Sequence, residues 1–425
     1  MKDFRTLIIG TDINAYYLAR CYHEYTGKKA DMLGLIVDDI KPYSYTKYTK
    51  ILNMEYVEDF WQEEVFLKKL DEYYEKHKGE KILLISSNET YGEFIAKNKE
   101  KLEKKFYFNY PSVELQRTLV MKDLFYKTYA DSCIDLPKTQ YFDCAKDENV
   151  KLEELTFPVI VKPANVIKFK HMTFEGKKKI YCLNSEEELM QVIGYFKKGG
   201  YDDILIIQEY IPGDDSNLFD AVIYCDKNSK ARLVSFAQIG LQEHAPSMIG
   251  NATVLINGYS QYPGVDEMIE KIKQFMETIK YQGFAEFDMK YDYRTNQYKV
   301  MEINARQGRC SYYITPCGYN LIEVLAKDLI YNVETKFEKV DKVQLLSFVP
   351  KSVVKKQIVN EEYKKKVLEL WKDRVSPLAY KKDNGILRKL LLMKINHNYR
   401  KSYKQNKLNW EELKKCAGSV DSKMD

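Results

Sequence analysis

Histidine is scarce, with five residues in 425, and no two are spaced as metal ligands. The eight cysteines at 21, 133, 144, 182, 225, 310, 317 and 416 include no Cys-x-x-Cys pair. Together these shortages exclude a zinc pattern and leave the cysteines as reduced, small apolar residues. No apolar run approaches the roughly 18 residues that a membrane span needs. The opening MKDFRTLIIG enters a strand pattern without a signal-peptide core, so a cytoplasmic location is expected. There is no stacking-aromatic motif and no recognition-helix signature, so no nucleic-acid partner is expected. Charge of one sign does not dominate either: 67 Lys and Arg face 62 Asp and Glu. That balance hides an asymmetry, because Lys351 to Asp425 hold 20 basic against 9 acidic residues. A basic tail therefore follows a mildly acidic body.

What is present is enough chain for two to four domains and an ordinary apolar fraction of 45%. The first hundred residues alternate strand and helix patterns. FRTLIIG, LGLIVDD (ending at Asp38 and Asp39) and KILLISS read as buried strands. Ile13 to Tyr25, Val57 to His77 and Glu89 to Lys97 read as helices. Such alternation predicts a parallel sheet. The turn Gly10 to Ala15 overlays a dinucleotide fingerprint, but Asp12 takes the place of the middle glycine. A carboxylate there opposes a pyrophosphate, so a different substrate or a purely structural turn is favoured.

The stretch GFAEFDMKYDYRTNQYKVMEINARQGR, Gly283 to Arg309, predicts a β-hairpin with turn chemistry over Asp292 to Asn296. Strand period two puts Glu302 and Asn304 on one face, and Asp288 joins them if the register allows. Two carboxylates and an amide oxygen are hard ligands for Mg²⁺ bridging phosphates. A solvated charged face is the competing reading of the same residues. Upstream, SVELQRTLVMKDLFYKTYADS predicts one amphipathic helix containing Lys122, and FPVIVKPA a buried strand ending at Lys162. A lysine closing an apolar strand is costly unless it meets an anion or reaches solvent. Residues 165 to 179, NVIKFKHMTFEGKKK, read either as a turn over phosphates or as an exposed hairpin.

In order along the chain, Lys122 in MKDLFY, Lys162 in FPVIVKPA, the segment QEYIPGDD and the pair FDMKYD/MEINARQGR resemble the ATP-grasp superfamily. The resemblance implies an α/β chain, α+β in its nucleotide-binding part. It divides into a Rossmann-like domain over 1–110, a linker helix and small subdomain over 111–212, a large subdomain with the metal site over 213–335, and a basic C-terminal region over 336–425. It also implies ATP and Mg²⁺ as cofactors. Lys122 and Lys162 would touch nucleotide phosphates. Gln208, Glu209 and Ile211 would take the adenine edge, partly through backbone, and Asp214 or, preferred, Asp215 the ribose. Asp288, Glu302 and Asn304 would hold metal, with Glu286 a rival for the first position. Arg306 would steady the transferred phosphoryl group and the later oxyanion. The superfamily's phosphate-covering loop is often glycine-rich and this one is not, so Lys168, Lys170 or His171 would substitute.

The run MEINARQGRCSYYITPCGYN looks like the carboxylate–amine ligases of peptidoglycan assembly, in particular the D-aspartate ligases. That implies activation of the D-aspartate β-carboxyl and its transfer to the lysine side chain of a cell-wall precursor stem peptide. A ligase for another amino acid and amine, or a nucleotide-binding regulator without turnover, are the alternatives. Arg309, by position, is a candidate for a substrate carboxylate. The tail segment GILRKLLLMKINHNYRKSYKQNK, 385–407, has three readings: a helix packing Leu387, Leu390, Leu391 and Ile395 on the core, peripheral contact with the inner membrane face, or steering of a diphosphate-bearing precursor. Deleting 381–425 is expected to lower activity on the large acceptor.

Overall fold

The computed structural model describes residues 2–35, 45–165, 168–169, 172–174, 177–178, 180–245 and 248–406. Asp38, Asp39, Lys170 and His171 lie outside the described residues.

Strands β1 (Arg5–Ile9), β2 (Ala30–Leu35), β3 (Leu52–Val57) and β4 (Ile82–Ser86) form a parallel sheet in the order β3-β2-β1-β4. The β4 residues, ILLIS, are buried throughout, as parallel strands covered on both faces must be. Helices α1 (Ile13–Thr26), α2 (Glu63–Lys76), α3 (Glu89–Lys97) and α4 (Lys99–Leu102) accompany them. The helix expected from Val57 starts later, because the preceding residues are strand β3, joined edge-on to β2. Helix α1 is buried along most of its length because it lies between this sheet and the rest of the molecule.

The helix expected over 112–132 is two, α5 (Val113–Val120) and α6 (Lys122–Thr128), broken where Met121 turns extended. Lys122 is consequently the first residue of α6 rather than a mid-helix residue. An antiparallel sheet follows from β5 (Thr139–Asp143), β6 (Val159–Pro163), β7 (Tyr181–Leu183) and β8 (Ile204–Glu209), ordered β5-β8-β6-β7. Helix α7 (Glu186–Lys198) packs on it, capped by Ser185, whose hydroxyl accepts from Glu188 N.

The largest sheet holds β9 (Leu218–Cys225), β10 (Ala231–Gln242), β11 (Ala252–Asn257), β12 (Gly283–Asp292), β13 (Gln297–Asn304), β14 (Glu338–Val340) and β15 (Gln344–Ser347). Its order is β13-β12-β9-β10-β11-β15, with β14 parallel to β10. Helix α8 (Val265–Thr278) covers one face. The other face packs on α1, the 3₁₀ turn Ser311–Cys317 and α9 (Leu321–Leu329), in one core shared with the N-terminal sheet.

A boundary at 335 does not survive, because β14 and β15 belong to this sheet. Nor is the C-terminal region an appendage. Helices α10 (Lys351–Gln357), α11 (Glu361–Glu369) and α12 (Ile386–Gln405) continue into the same core through Val354, Tyr363, Leu391, Ile395, Tyr399 and Tyr403.

Candidate active site

The hairpin β12–β13 closes as its sequence suggests, with Asn296 in the left-handed region at φ 54° and Asp292 Oδ1 accepting from Arg294 N. Its register sets Asp288 opposite Glu302 and Glu286 opposite Asn304. A slip between Asp288 and Met289 marks a bulge at Met301. Without it, strand parity could not bury Tyr298, Val300 and Ile303 in one core while turning Glu302 and Asn304 to the other face. The bulge carbonyl of Met301 accepts the Tyr126 hydroxyl of α6 at 2.6 Å. Asn304 Nδ2 lies 3.1 Å from Asp288 Oδ2 and 3.3 Å from Glu286 Oε2.

The two lysines reach this face from different elements. Lys122 Nζ meets Glu302 Oε2 at 2.5 Å. Lys162, at the end of β6 and only 8% exposed, donates to Tyr126 Oη at 3.3 Å. Arg306 stands just beyond the strand end. Its Nη2 is 2.6 Å from Glu89 Oε1 in the first turn of α3, and its Nη1 donates to the Gln307 carbonyl. Its Nε is buried without a partner. The N-terminal sheet thus supplies one wall: Gln307 donates to Ser86 O, and Tyr17 of α1 donates to Gly308 O. A side chain at Gly308 would overlap the Glu286 carboxylate, so glycine is needed for that approach.

A further buried acid stands beside the hairpin on the neighbouring strand. Asp220 of β9 pairs directly with Asp288, accepts from Tyr313 Oη at 2.9 Å and faces Glu286. Burial pushes Glu286 and Asp288 well above the usual carboxylate range, and the neighbouring acids push further. Burial raises Asp220 as well, and the two carboxyl groups, facing each other, raise Glu286 further. Lys122 pulls Asp288 the other way. Among the described residues no three His, Cys, Asp or Glu side chains form a ready ligand set. Two carboxylates with one amide suit a cation shared with phosphate oxygens, and the donor chemistry fits Mg²⁺. Ligation by Asn304 would require its amide to turn so that oxygen replaces nitrogen.

Other expected residues fall less simply. Gln208 is buried with Nε2 on Thr139 Oγ1 and Oε1 unpartnered. The Glu209 carboxylate accepts from Lys138 N and Arg294, so only its backbone is left for a purine edge. Ile211 is buried beside it. Asp215 is 3% exposed, and both its oxygens accept from Gln242. The half-exposed Asp214 caps the short turn after it, so the preference for Asp215 is reversed by burial. Lys168 is held by Asp202 on the surface and does not turn toward the lysine pair. Arg309 donates to Glu243 at 3.0 Å and to the Tyr399 hydroxyl of α12 at 2.6 Å, with its guanidinium 4.9 Å from the Phe348 ring. Its Nε and Nη1 have no partner.

The Gly10 turn is structural: Asp12 caps α1 through Ala15 N and accepts from Ser87 Oγ at 3.0 Å. Asp220, Glu89 and Lys290 escaped the sequence reading. Lys290 lies two residues beyond Asp288 on the same strand face and donates to Gly213 O beside the Tyr210 ring. Its alternation with Glu286 and Asp288 was a usable signal. Asp220, a single acid in the apolar run LFDAVIYC, was another. Glu89 carried none, because its pairing with Arg306 spans two sheets.

No family model matches this sequence. The chain is 33% identical to the D-aspartate ligase of Enterococcus faecium (strain Aus0004) over 419 residues, 95% of this chain and 97% of that protein. Among solved structures it resembles the N5-carboxyaminoimidazole synthetase from Staphylococcus aureus complexed with ADP. That match has a TM-score of 0.58 and 14% identity, over 85% of this chain and 87% of the other. It also resembles the L-amino acid ligase from Bacillus licheniformis, with a TM-score of 0.53 and 15% identity, over 78% and 75% of the two chains. These structures share the ATP-grasp fold, and so does this chain.

Proposed function

The chain belongs to the D-aspartate ligase family, and from that premise we propose that it joins the β-carboxyl of D-aspartate to the lysine side chain of a peptidoglycan precursor stem peptide. It is an ATP-dependent carboxylate–amine ligase. The observation that carries the reading is the meeting of Lys122, Glu302, Asp288 and Asn304 at the end of one hairpin, with Lys162 and Arg306 alongside.

A carboxylate does not react with an amine at neutral pH because its oxygen is a poor leaving group. Its attack on the γ-phosphorus of ATP releases ADP and leaves an acyl phosphate. The lysine amine, once it has given up a proton to a base, attacks the acyl carbon, and phosphate departs. Lys122 and Lys162 hold the phosphates as point charges, Lys122 leaving Glu302 to do so. Asp288, Glu302 and Asn304 would hold Mg²⁺, which when bound would supply positive charge beside the phosphate oxygens. Arg306, already fixed by Glu89, stabilises the tetrahedral oxyanion through the Nε that has no protein partner. Backbone at Gln208, Glu209 and Ile211 takes the purine edge, and Asp214 the ribose. Arg309 grips a carboxylate of the amino acid.

The test is mass spectrometry of the product from ATP, D-aspartate and a lysine-containing precursor, with phosphate release measured for a panel of free amino acids. An aspartyl adduct on lysine is expected. Release with a different acid, and none with D-aspartate, would overturn the substrate assignment while leaving the ligase chemistry intact.

A further inference from the structure

Helix α12 has two apolar faces, and among the described residues only one is covered. Leu391, Ile395, Tyr399 and Tyr403 point inward with Arg388, which is fully buried against the Tyr16 ring. On the opposite side Ile386, Leu387, Leu390 and Met393 are 78%, 57%, 55% and 65% exposed. At 100° per residue, Ile386, Leu390 and Met393 form one stripe, with Leu387 at its edge. Scattered exposed apolar residues need no explanation, but four on one surface of one helix form a patch.

The charge that the helix itself carries has a single sign. The helix contains no acidic residue. Lys389 and Arg400 flank the stripe on one side and Lys394 and Lys401 on the other, all exposed. A second segment packs against the start of the helix. Arg388 donates to the carbonyls of Tyr45 and Lys47, while Asp383 accepts from Thr49 Oγ1 and Lys50 N, both at 2.8 Å. This fixes the 45–50 segment against the helix, and it presents Tyr48, 47% exposed, between Lys47 and Lys50.

We propose that this face docks on an anionic lipid bilayer. The helix lies in the headgroup plane, with Ile386, Leu390 and Met393 inserted and the flanking lysines on lipid phosphates. Apolar insertion and a basic rim are the two signals that stable peripheral binding requires. No helix among the described residues is long and apolar enough to cross a membrane, so the contact is interfacial. A second copy of this chain is a poorer occupant, because a twofold contact would set the same lysines against one another.

Co-sedimentation of the full chain with vesicles of phosphatidylglycerol and phosphatidylcholine, against vesicles of phosphatidylcholine alone, tests the proposal. Binding to the anionic vesicles is expected to be at least tenfold tighter. Leu390→Glu with Met393→Glu, and separately Lys389→Gln with Lys394→Gln, should each weaken it at least tenfold. Both variants should keep wild-type circular dichroism and wild-type activity on a soluble acceptor, since these side chains face solvent. The proposal is overturned by equal binding to both vesicles, by no binding, or by binding that survives both variants. It is equally overturned if the free protein is a dimer that Leu390→Glu and Met393→Glu dissociate, because a second copy then occupies the stripe.

Discussion

Lys122 and Glu302 satisfy each other at 2.5 Å, and both are proposed to change partners when nucleotide and cation arrive. Glu302→Gln keeps the shape and a hydrogen bond to Lys122 but removes a charge from the cation site. Turnover in saturating Mg²⁺ is expected to fall by about 10²–10³ or more, as for loss of other preorganised electrostatic groups. Nucleotide binding by calorimetry should survive in part, and near-normal turnover would refute the metal assignment. Glu286 makes a different prediction. Its folded-state pKa is raised above the unfolded value by burial and by Asp220, so it binds a proton that the unfolded chain releases. That contribution is full below the unfolded pKa of about 4.5 and is lost as pH rises through the folded value. Glu286→Gln imitates the protonated acid and has nothing to lose. Between pH 6 and 9, without metal, its melting temperature should fall less than that of wild type in parallel scanning fluorimetry. A steeper fall would mean that Glu286 is ionised in the fold.

Among the elements, the β12–β13 hairpin does most to place the chemistry. Its turn depends on Asn296 at φ 54°, with its side chain accepting from Tyr291 Oη at 2.9 Å. A β-branched residue pays a steric penalty there, so Asn296→Val should cost about 1–2 kcal/mol in urea unfolding. Asn296→Gly should cost less, since only the hydrogen bond is lost. The bulge at Met301 was partly legible in advance, because apolar residues at 298, 300 and 303 break strand parity. The break at Met121 was not. The sequence continues helically through it, and only the tertiary position of Lys122 against Glu302 demands a new helix start. Helix α12 shows the same division. One of the three sequence readings of this helix packed Leu387, Leu390, Leu391 and Ile395 together on the core. Packing into the shared core took Leu391 and Ile395, and left Leu387 and Leu390 outside.

For the molecule as a whole, the C-terminal region is part of the core. Removing 381–425 takes away Leu391, Ile395, Tyr399 and Tyr403, at about 1.5–3 kcal/mol for each buried side chain. Their sum rivals the whole stability of an ordinary domain. It also strips Arg309 of Tyr399 and Tyr16 of its Asp383 partner. The truncated chain is therefore expected to lose its cooperative melt by circular dichroism, so lower activity on a large acceptor would report unfolding rather than a lost acceptor contact. A truncated protein that melts like the full chain would contradict this account.

The sequence by itself determined what is local. Strand alternation, turn residues and the spacing of Asp288, Glu302 and Asn304 are short-range properties, and so is the order of the motifs that resemble the ATP-grasp superfamily. It also located the basic excess of the tail. The tertiary structure decided everything that depends on which surfaces meet. It tied Arg306 to Glu89 across two sheets, buried Asp215 under Gln242, and set Asp220 beside Asp288 and facing Glu286. It also drew β14, β15 and α12 into the body of the fold. The reason is physical: periodicity names the apolar face of an element, but only the neighbouring element settles which polar groups on that face lose water and must find a partner.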